Sequence, residues 1–285
     1  MLVCVGDLVE EVLVQLRTDP RRGGDIPVRA ARVRGGSAAN VAAITAEQGS
    51  DVRFVGQVGD DHVGRTLTED LERRGVDLRV AFAGGTGVII TMIGRGGRSR
   101  MIDRGASRRL SRLDPACLDG AEQLYLAASA VTDDPLATAV DRLLGEATER
   151  RVPVTLSGPT LAELESFGTD PFLELCRTLE PAHVILNRAE HHALDLRARS
   201  GIDGAATTVV TNGRRPTLVI DRSGTTSVEV PPLDDVLDRT GVGDGFIAGF
   251  LRSRRSGADP ASAAHAGHRV AASVLRNFGP TATAP

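Results

Sequence analysis

The sequence predicts an α/β protein: a central, mostly parallel sheet flanked by helices, with a small β-rich lid inserted near the first third. Three observations predict it. Short apolar runs alternate with helical patterns along most of the chain, as in βαβ units. Two stretches, 8–34 and 78–104, break that rhythm with strands and turns and no convincing helix. The 285 residues, 41% hydrophobic and 25% charged, are enough to bury a large core, as one α/β domain or two smaller ones.

In chain order, the apolar run 1–5 (MLVCV) opens the sheet, and the first lid segment (EEVLVQLRTDPRRGG onward) follows. GGSAANVAAITAEQG then begins a helix over 37–48, with Ser37 placed to cap it. A strand at 52–58 and a helix at 62–74 complete a βα unit before the second lid segment, LRVAFAGGTGVIITMIGRGGRSRMID. Beyond the lid, strands are expected at 123–128, 152–156, 183–187, 207–211 and 217–221. Helices are expected at 135–150, 171–179, 188–196, 243–254 and 260–276. A β-meander beside an α/β body suits an element that closes over a ligand and excludes water.

Composition narrows the function. The formal net charge of -3 argues against nucleic acid as a partner, because phosphate backbones are bound by basic surfaces. Cys4, Cys117 and Cys176 lie far apart without a CxxC pair, which reads as reduced core residues of a cytoplasmic protein. The N-terminus has acids within its apolar run and no positive segment, unlike a signal peptide. No apolar stretch reaches 18 residues, so no membrane span is expected. All 34 basic residues are arginine, which excludes a Walker A lysine and any lysine Schiff base.

The stretch DRTGVGDGFIAGFL (238–251) carries the chemistry. A helix N-terminus presents unpaired N–H groups, and glycines ahead of it let the backbone approach an anion. Gly241, Val242 and Gly243 are the natural donors of such a cradle. Asp244 would repel an anion there unless its carboxylate receives a proton, as a base would from an attacking hydroxyl. Two plainer accounts compete. An acidic first turn after glycine also starts ordinary helices. A dinucleotide fingerprint fails on spacing, G-x-G-x-G instead of G-x-G-x-x-G, and on the lack of a preceding strand.

Asp238, Thr240, Gly241, Val242, Gly243 and Asp244 resemble the D-T-x-G-A-G-D signature of the ribokinase-like (PfkB) sugar kinase family, with Arg239 and Val242 as departures. GGSAANVA (35–42), GQVGDDHVG (56–64) and DRGAS (103–107) resemble further family segments, in the family's order along nearly the whole chain. The resemblance implies a single ribokinase-like domain over 1–285, with Asp244 as catalytic base and the glycine turn as anion hole. Gly35, Gly36 and Asn40 would contact the sugar, with Glu11 at the position of a substrate-binding aspartate. Asn187 and Glu190 resemble the N-x-x-E motif that organises magnesium and phosphate, Glu190 acting through water. Thr211, Gly213 and His268 fall on the nucleotide side, although Pro216 replaces the last glycine of that loop. Asp238 and Thr240 would hold a monovalent cation such as K+.

The implied protein is a cytoplasmic, ATP- and magnesium-dependent kinase of a small sugar, able to dimerise through the lid and needing neither nucleic acid nor membrane. The scarcity of aromatic residues, with one tyrosine and no tryptophan, favours a sugar over a nucleoside. A nucleoside kinase of the same family is the alternative within the class. Ser157, where related kinases carry an aspartate, leaves open a silent sugar-binding regulator.

Overall fold

The structure, a computed structural model, describes residues 1–18, 23–94, 97–197 and 199–283. Its strands are β1 (Leu2–Val5), β2 (Val9–Leu16), β3 (Val28–Gly35), β4 (Val52–Val58), β5 (Asp77–Phe82), β6 (Thr86–Gly94) and β7 (Gly97–Gly105). They continue with β8 (Gln123–Leu126), β9 (Val154–Ser157), β10 (His183–Asn187), β11 (Thr207–Asn212), β12 (Arg215–Asp221) and β13 (Gly224–Val228). The helices are α1 (Ser37–Glu47), α2 (His62–Arg73), α3 (Ser129–Thr132), α4 (Leu136–Glu149), α5 (Leu161–Phe167), α6 (Thr169–Leu179), α7 (Arg188–Ala193), α8 (Val242–Arg255) and α9 (Pro260–Leu275).

The large sheet runs β13-β12-β11-β10-β9-β8-β1-β4-β5. It is parallel from β5 to β11 and antiparallel only at β12 and β13. Every residue of β1 and β4 is buried, as a sheet covered on both faces requires. One face packs against α1, α2, α8 and α9, and the other against α4 to α6. The chain leaves β1 in one direction for β4 and later resumes at β8 on its other side. Such a switch point opens a crevice beyond the carboxyl ends of the strands.

The small sheet runs β3-β2-β6-β7. It differs from the expected lid at one boundary. Of the segment 78–104, residues 78–82 belong to β5, which pairs in parallel with β4 as an edge of the large sheet. Alternation of apolar and polar residues looks the same in either sheet, so the sequence does not reveal the partner. Part of the first lid segment, 19–22, lies outside the described residues. The single helix expected at 171–179 is preceded by α5, and Gly168 at φ 99 separates α5 from α6.

α8 and α9 approach closely because glycines line their contact. A Cβ at Gly245 would lie 2.7 Å from Val274 Cγ2, one at Gly249 2.8 Å from the Ala266 carbonyl oxygen, and one at Gly267 2.8 Å from the Phe246 carbonyl oxygen. This packing fixes the start of α8 against the crevice.

Candidate active site

α8 begins at Gly241, whose φ of 76 lies in the left-handed region. A Cβ there would also sit 2.4 Å from Pro280 Cβ, so glycine is required twice over. The first helical bond runs from the Gly245 N–H to the Gly241 carbonyl at 2.8 Å. Among the described residues the N–H groups of Gly241, Gly243 and Asp244 meet no acceptor, and that of Val242 reaches the Arg239 carbonyl only at 3.4 Å. The open donors therefore include Asp244 itself, and Val242 is the most occupied of the expected trio. Around Gly243 a Cβ would meet nothing within 4 Å. That glycine faces open space.

Asp244 is held at both oxygens. Oδ1 accepts from Ser37 Oγ at 2.7 Å and Oδ2 from Asn40 Nδ2 at 2.9 Å. Ser37 Oγ also lies 2.8 Å from the Tyr125 hydroxyl. The serine proton goes to the carboxylate, so the phenol donates to the serine. Burial pushes the Tyr125 phenol up, which keeps it a donor. Burial likewise raises the Asp244 carboxyl above the ordinary range, opposed by the Ser37 and Asn40 donors; Glu11 adds to the rise and Arg100 resists it. Ser37 is thus no cap. Gly36, at φ 96, is the N-cap of α1, and a Cβ on it would strike the Asp7 carbonyl at 2.1 Å. Its neighbour Gly35 ends β3, where a Cβ would come 3.0 Å from Glu11 Cβ.

A cleft of about 630 Å³ extends from Asp244 across the carboxyl ends of the strands. Asp7, just past β1, takes both Arg104 Nε and Nη2 at 2.7 Å. Asp133 joins them by accepting from Arg104 Nη1 at 2.5 Å and Arg108 Nη2 at 2.9 Å. Glu11, on β2, is buried and outside the cleft lining, with Oε1 accepting from Thr91 Oγ1 at 2.6 Å and Arg98 Nη2 at 3.0 Å.

On the opposite side, Asn187 and Glu190 form a capping box on α7. Asn187 Oδ1 accepts from the Ala189 and Glu190 N–H groups, and Glu190 Oε2 accepts from the Asn187 N–H at 2.9 Å. Both line the cleft with Thr211. Burial pushes the Glu190 carboxyl up to about 7, with Glu163 contributing, although Asn187 donates to it. An anion so poorly compensated suits a cation nearby.

The other expected residues sit elsewhere. Gly213, at φ 61, makes the β11–β12 turn away from the cleft. His268 is buried one layer behind the wall, edge-on to Phe246 at 5.0 Å, with its imidazole lowered to about 4 by burial and by His265. Asp238 accepts from the Thr240 N–H and hydroxyl and from the Gly279 N–H, at 3.0 to 3.1 Å. Its carboxylate works as a clasp on the C-terminal loop. Asp7, Ser37 and Tyr125 were not anticipated as partners at the site. Asp7 carried a usable signal, an acid at the end of the first sheet strand. The Ser37–Tyr125–Asp244 chain is bridged only by folding.

A buried carboxylate beside open backbone donors, at the switch point of a parallel sheet, is an arrangement that can serve phosphoryl transfer to a hydroxyl. The chain belongs to the pfkB family of carbohydrate kinases, whose model matches residues 1–285. It is therefore a kinase of the sugar and nucleoside class. It is 28% identical over 279 residues to the adenosine kinase of Saccharomyces cerevisiae, covering 87% of this chain and 79% of that protein. Its fold matches the adenosine kinase of Sinorhizobium meliloti with a TM-score of 0.85 at 21% identity, over 98% of this chain and 95% of the other. An E. coli protein solved with ATP and Mg2+ matches at a TM-score of 0.83 and 16% identity, over 98% and 94% of the two chains. Among the described residues no helix is long and apolar enough to cross a membrane.

Proposed function

We propose that this cleft transfers the γ-phosphoryl group of ATP to a hydroxyl of a small sugar or sugar derivative, with Asp244 as general base. The observation that carries the reading is the placement of one carboxylate within a helix start whose N–H groups are open. Asp244, raised by burial and steered by Ser37 and Asn40, takes the hydroxyl proton as that oxygen attacks. The Gly241, Gly243 and Asp244 N–H groups face the charge that develops on the transferring group. The Asp7–Arg104 pair, which lines the cleft, is the candidate to hold acceptor hydroxyls, and the second N–H of Asn40 Nδ2 would join it.

Magnesium supplies charge neutralisation on the phosphates when bound. Glu190 is the residue to hold it, through water, because a single carboxylate with waters and phosphate oxygens satisfies this ion. Thr211 lines the cleft and would lie beside the nucleotide. Phe246 is the one aromatic side chain lining the cleft among the described residues, which supports a sugar better than a stacked nucleobase. The small sheet carries exposed, cross-paired Ile90 and Met101 on β6 and β7, an apolar surface that a second copy would cover; sedimentation velocity tests this directly.

Asp244→Asn tests the mechanism. Turnover of ATP should fall by about 10²-fold or more with D-ribose, D-fructose or adenosine as acceptor, while ATP binding by calorimetry is retained. Undiminished turnover would reject Asp244 as the base.

A further inference from the structure

Arg34 is the last side chain of β3 before the glycine pair, and phosphoryl transfer at Asp244 requires no cation there. It is 6% exposed, an expensive position for a guanidinium. Burial lowers its pKa, with Arg74 adding to the fall, against the pull of Asp70 and Glu47. What compensates it is a set of three donors sent to three different elements. Nη1 donates to Asp70 Oδ2 on α2 at 2.7 Å, Nη2 donates to the Pro280 carbonyl at 2.7 Å, and Nε donates to Asn40 Oδ1 on α1 at 3.2 Å.

The second and third of these reach the two working parts of the site. Guanidinium N–H groups only donate, so the Asn40 group facing Arg34 must be the carbonyl oxygen. That choice turns the Asn40 amide nitrogen toward Asp244 Oδ2, where it donates at 2.9 Å. Pro280, whose carbonyl Arg34 holds, is the residue against which Gly241 packs so closely that a Cβ would lie 2.4 Å away. The loop carrying Pro280 is tied down again at Gly279, by Asp238. One rigid fork therefore fixes the amide that holds the base and the loop that backs the anion turn.

We infer that Arg34 is a positioning residue, which sets the Asn40 amide on Asp244 and keeps the base in register with the Gly241 turn. The inference rests on Asp244 being the base, and its test separates the two. Arg34→Lys keeps the charge for Asp70 but leaves one nitrogen in place of the fork, so it cannot serve Asn40 and Pro280 together.

The direct readout needs no acceptor. The Asp244 carboxyl is followed by carbon-13 NMR titration, with its signal assigned by loss in Asp244→Asn. In Arg34→Lys, and in Arg34→Met if it folds by circular dichroism, the titration should move to higher pH, because the carboxylate loses an oriented donor. Asn40→Ala should produce the same movement, and Arg34→Lys added to Asn40→Ala should produce little more, since the effect passes through Asn40. Turnover with saturating Mg-ATP should fall in Arg34→Lys by up to roughly 10²-fold, with KM for ATP changed less than about twofold. A folded Arg34→Lys protein that titrates and turns over like the wild type overturns the inference. Additive shifts in the double variant overturn it as well. Persistent turnover in Asp244→Asn would instead sink the assignment of the base.

Discussion

At the scale of single residues, glycines around one carboxylate do separate jobs, and substitution tells them apart. Gly241 is needed by the protein, through its left-handed φ and its contact with Pro280. Gly241→Ala should cost about 1–3 kcal/mol in urea unfolding. Gly243 is not needed by the protein, since a Cβ there meets nothing within 4 Å. Gly243→Ala should leave stability unchanged or raise it by up to about 1 kcal/mol, since alanine is the better helix former. Its turnover should nevertheless fall if phosphate passes over that position; a stable variant with wild-type kcat would show that the ligand goes elsewhere. The chemistry at 241–244 was legible because it is local: a glycine turn, a helix start and an acid stand within four residues. The partners of Asp244 were not legible. Ser37 reads as a cap, and only folding brings it to a carboxylate 207 residues away and to the Tyr125 hydroxyl.

Among the elements, α7 and the α8–α9 pair make sequence and site meet. Asn187 and Glu190 at a three-residue spacing are explained locally by a capping box, and the same fold aims the carboxyl at the cleft. Because burial raises Glu190 to about 7, the folded state holds its proton more tightly than the unfolded chain. Its ionisation therefore weakens the fold as pH rises from the ordinary carboxyl range through 7. The melting temperature of Glu190→Gln minus that of the wild type should climb between pH 5 and pH 8 in scanning calorimetry, whatever constant cost the lost capping bond adds. A flat difference would mean that the Glu190 carboxyl is not raised on folding. On α8 and α9, Gly249 and Gly267 admit no side chain, each meeting a backbone carbonyl at 2.8 Å. Gly267→Ala should cost about 1–3 kcal/mol in urea unfolding and lower kcat through the shifted start of α8. The order of helices and strands was largely readable from periodicity. The partner of β5 was not, since alternation names a face and never a neighbour.

For the whole molecule, the same burial that builds the α8–α9 wall makes the fold acid-sensitive. His183, at the start of β10, stands edge-on to Phe250 at 5.1 Å, and burial with the Arg254 charge lowers its imidazole to about 4. His268 on α9 is lowered to about 4 as well, edge-on to Phe246, a residue of the cleft wall. Both titrate below their unfolded value of 6.5, so the unfolded chain takes up protons first as pH falls. Their contribution to stability is complete above about pH 6.5 and is lost as pH drops from there toward 4. The order of unpacking follows from the neighbours: protonating His268 puts a charge against Phe246, beside the start of α8, so acid should loosen the cleft together with the core. Replacing His268 by leucine removes that titration while keeping an apolar side chain in the gap. Urea unfolding of His268→Leu at pH 7, 5.5 and 4.5 should then show a stability that declines less steeply with acid than the wild type's. Equal slopes for the two proteins would mean that this imidazole titrates alike in the folded and unfolded chains, and that the wall behind the cleft is wet.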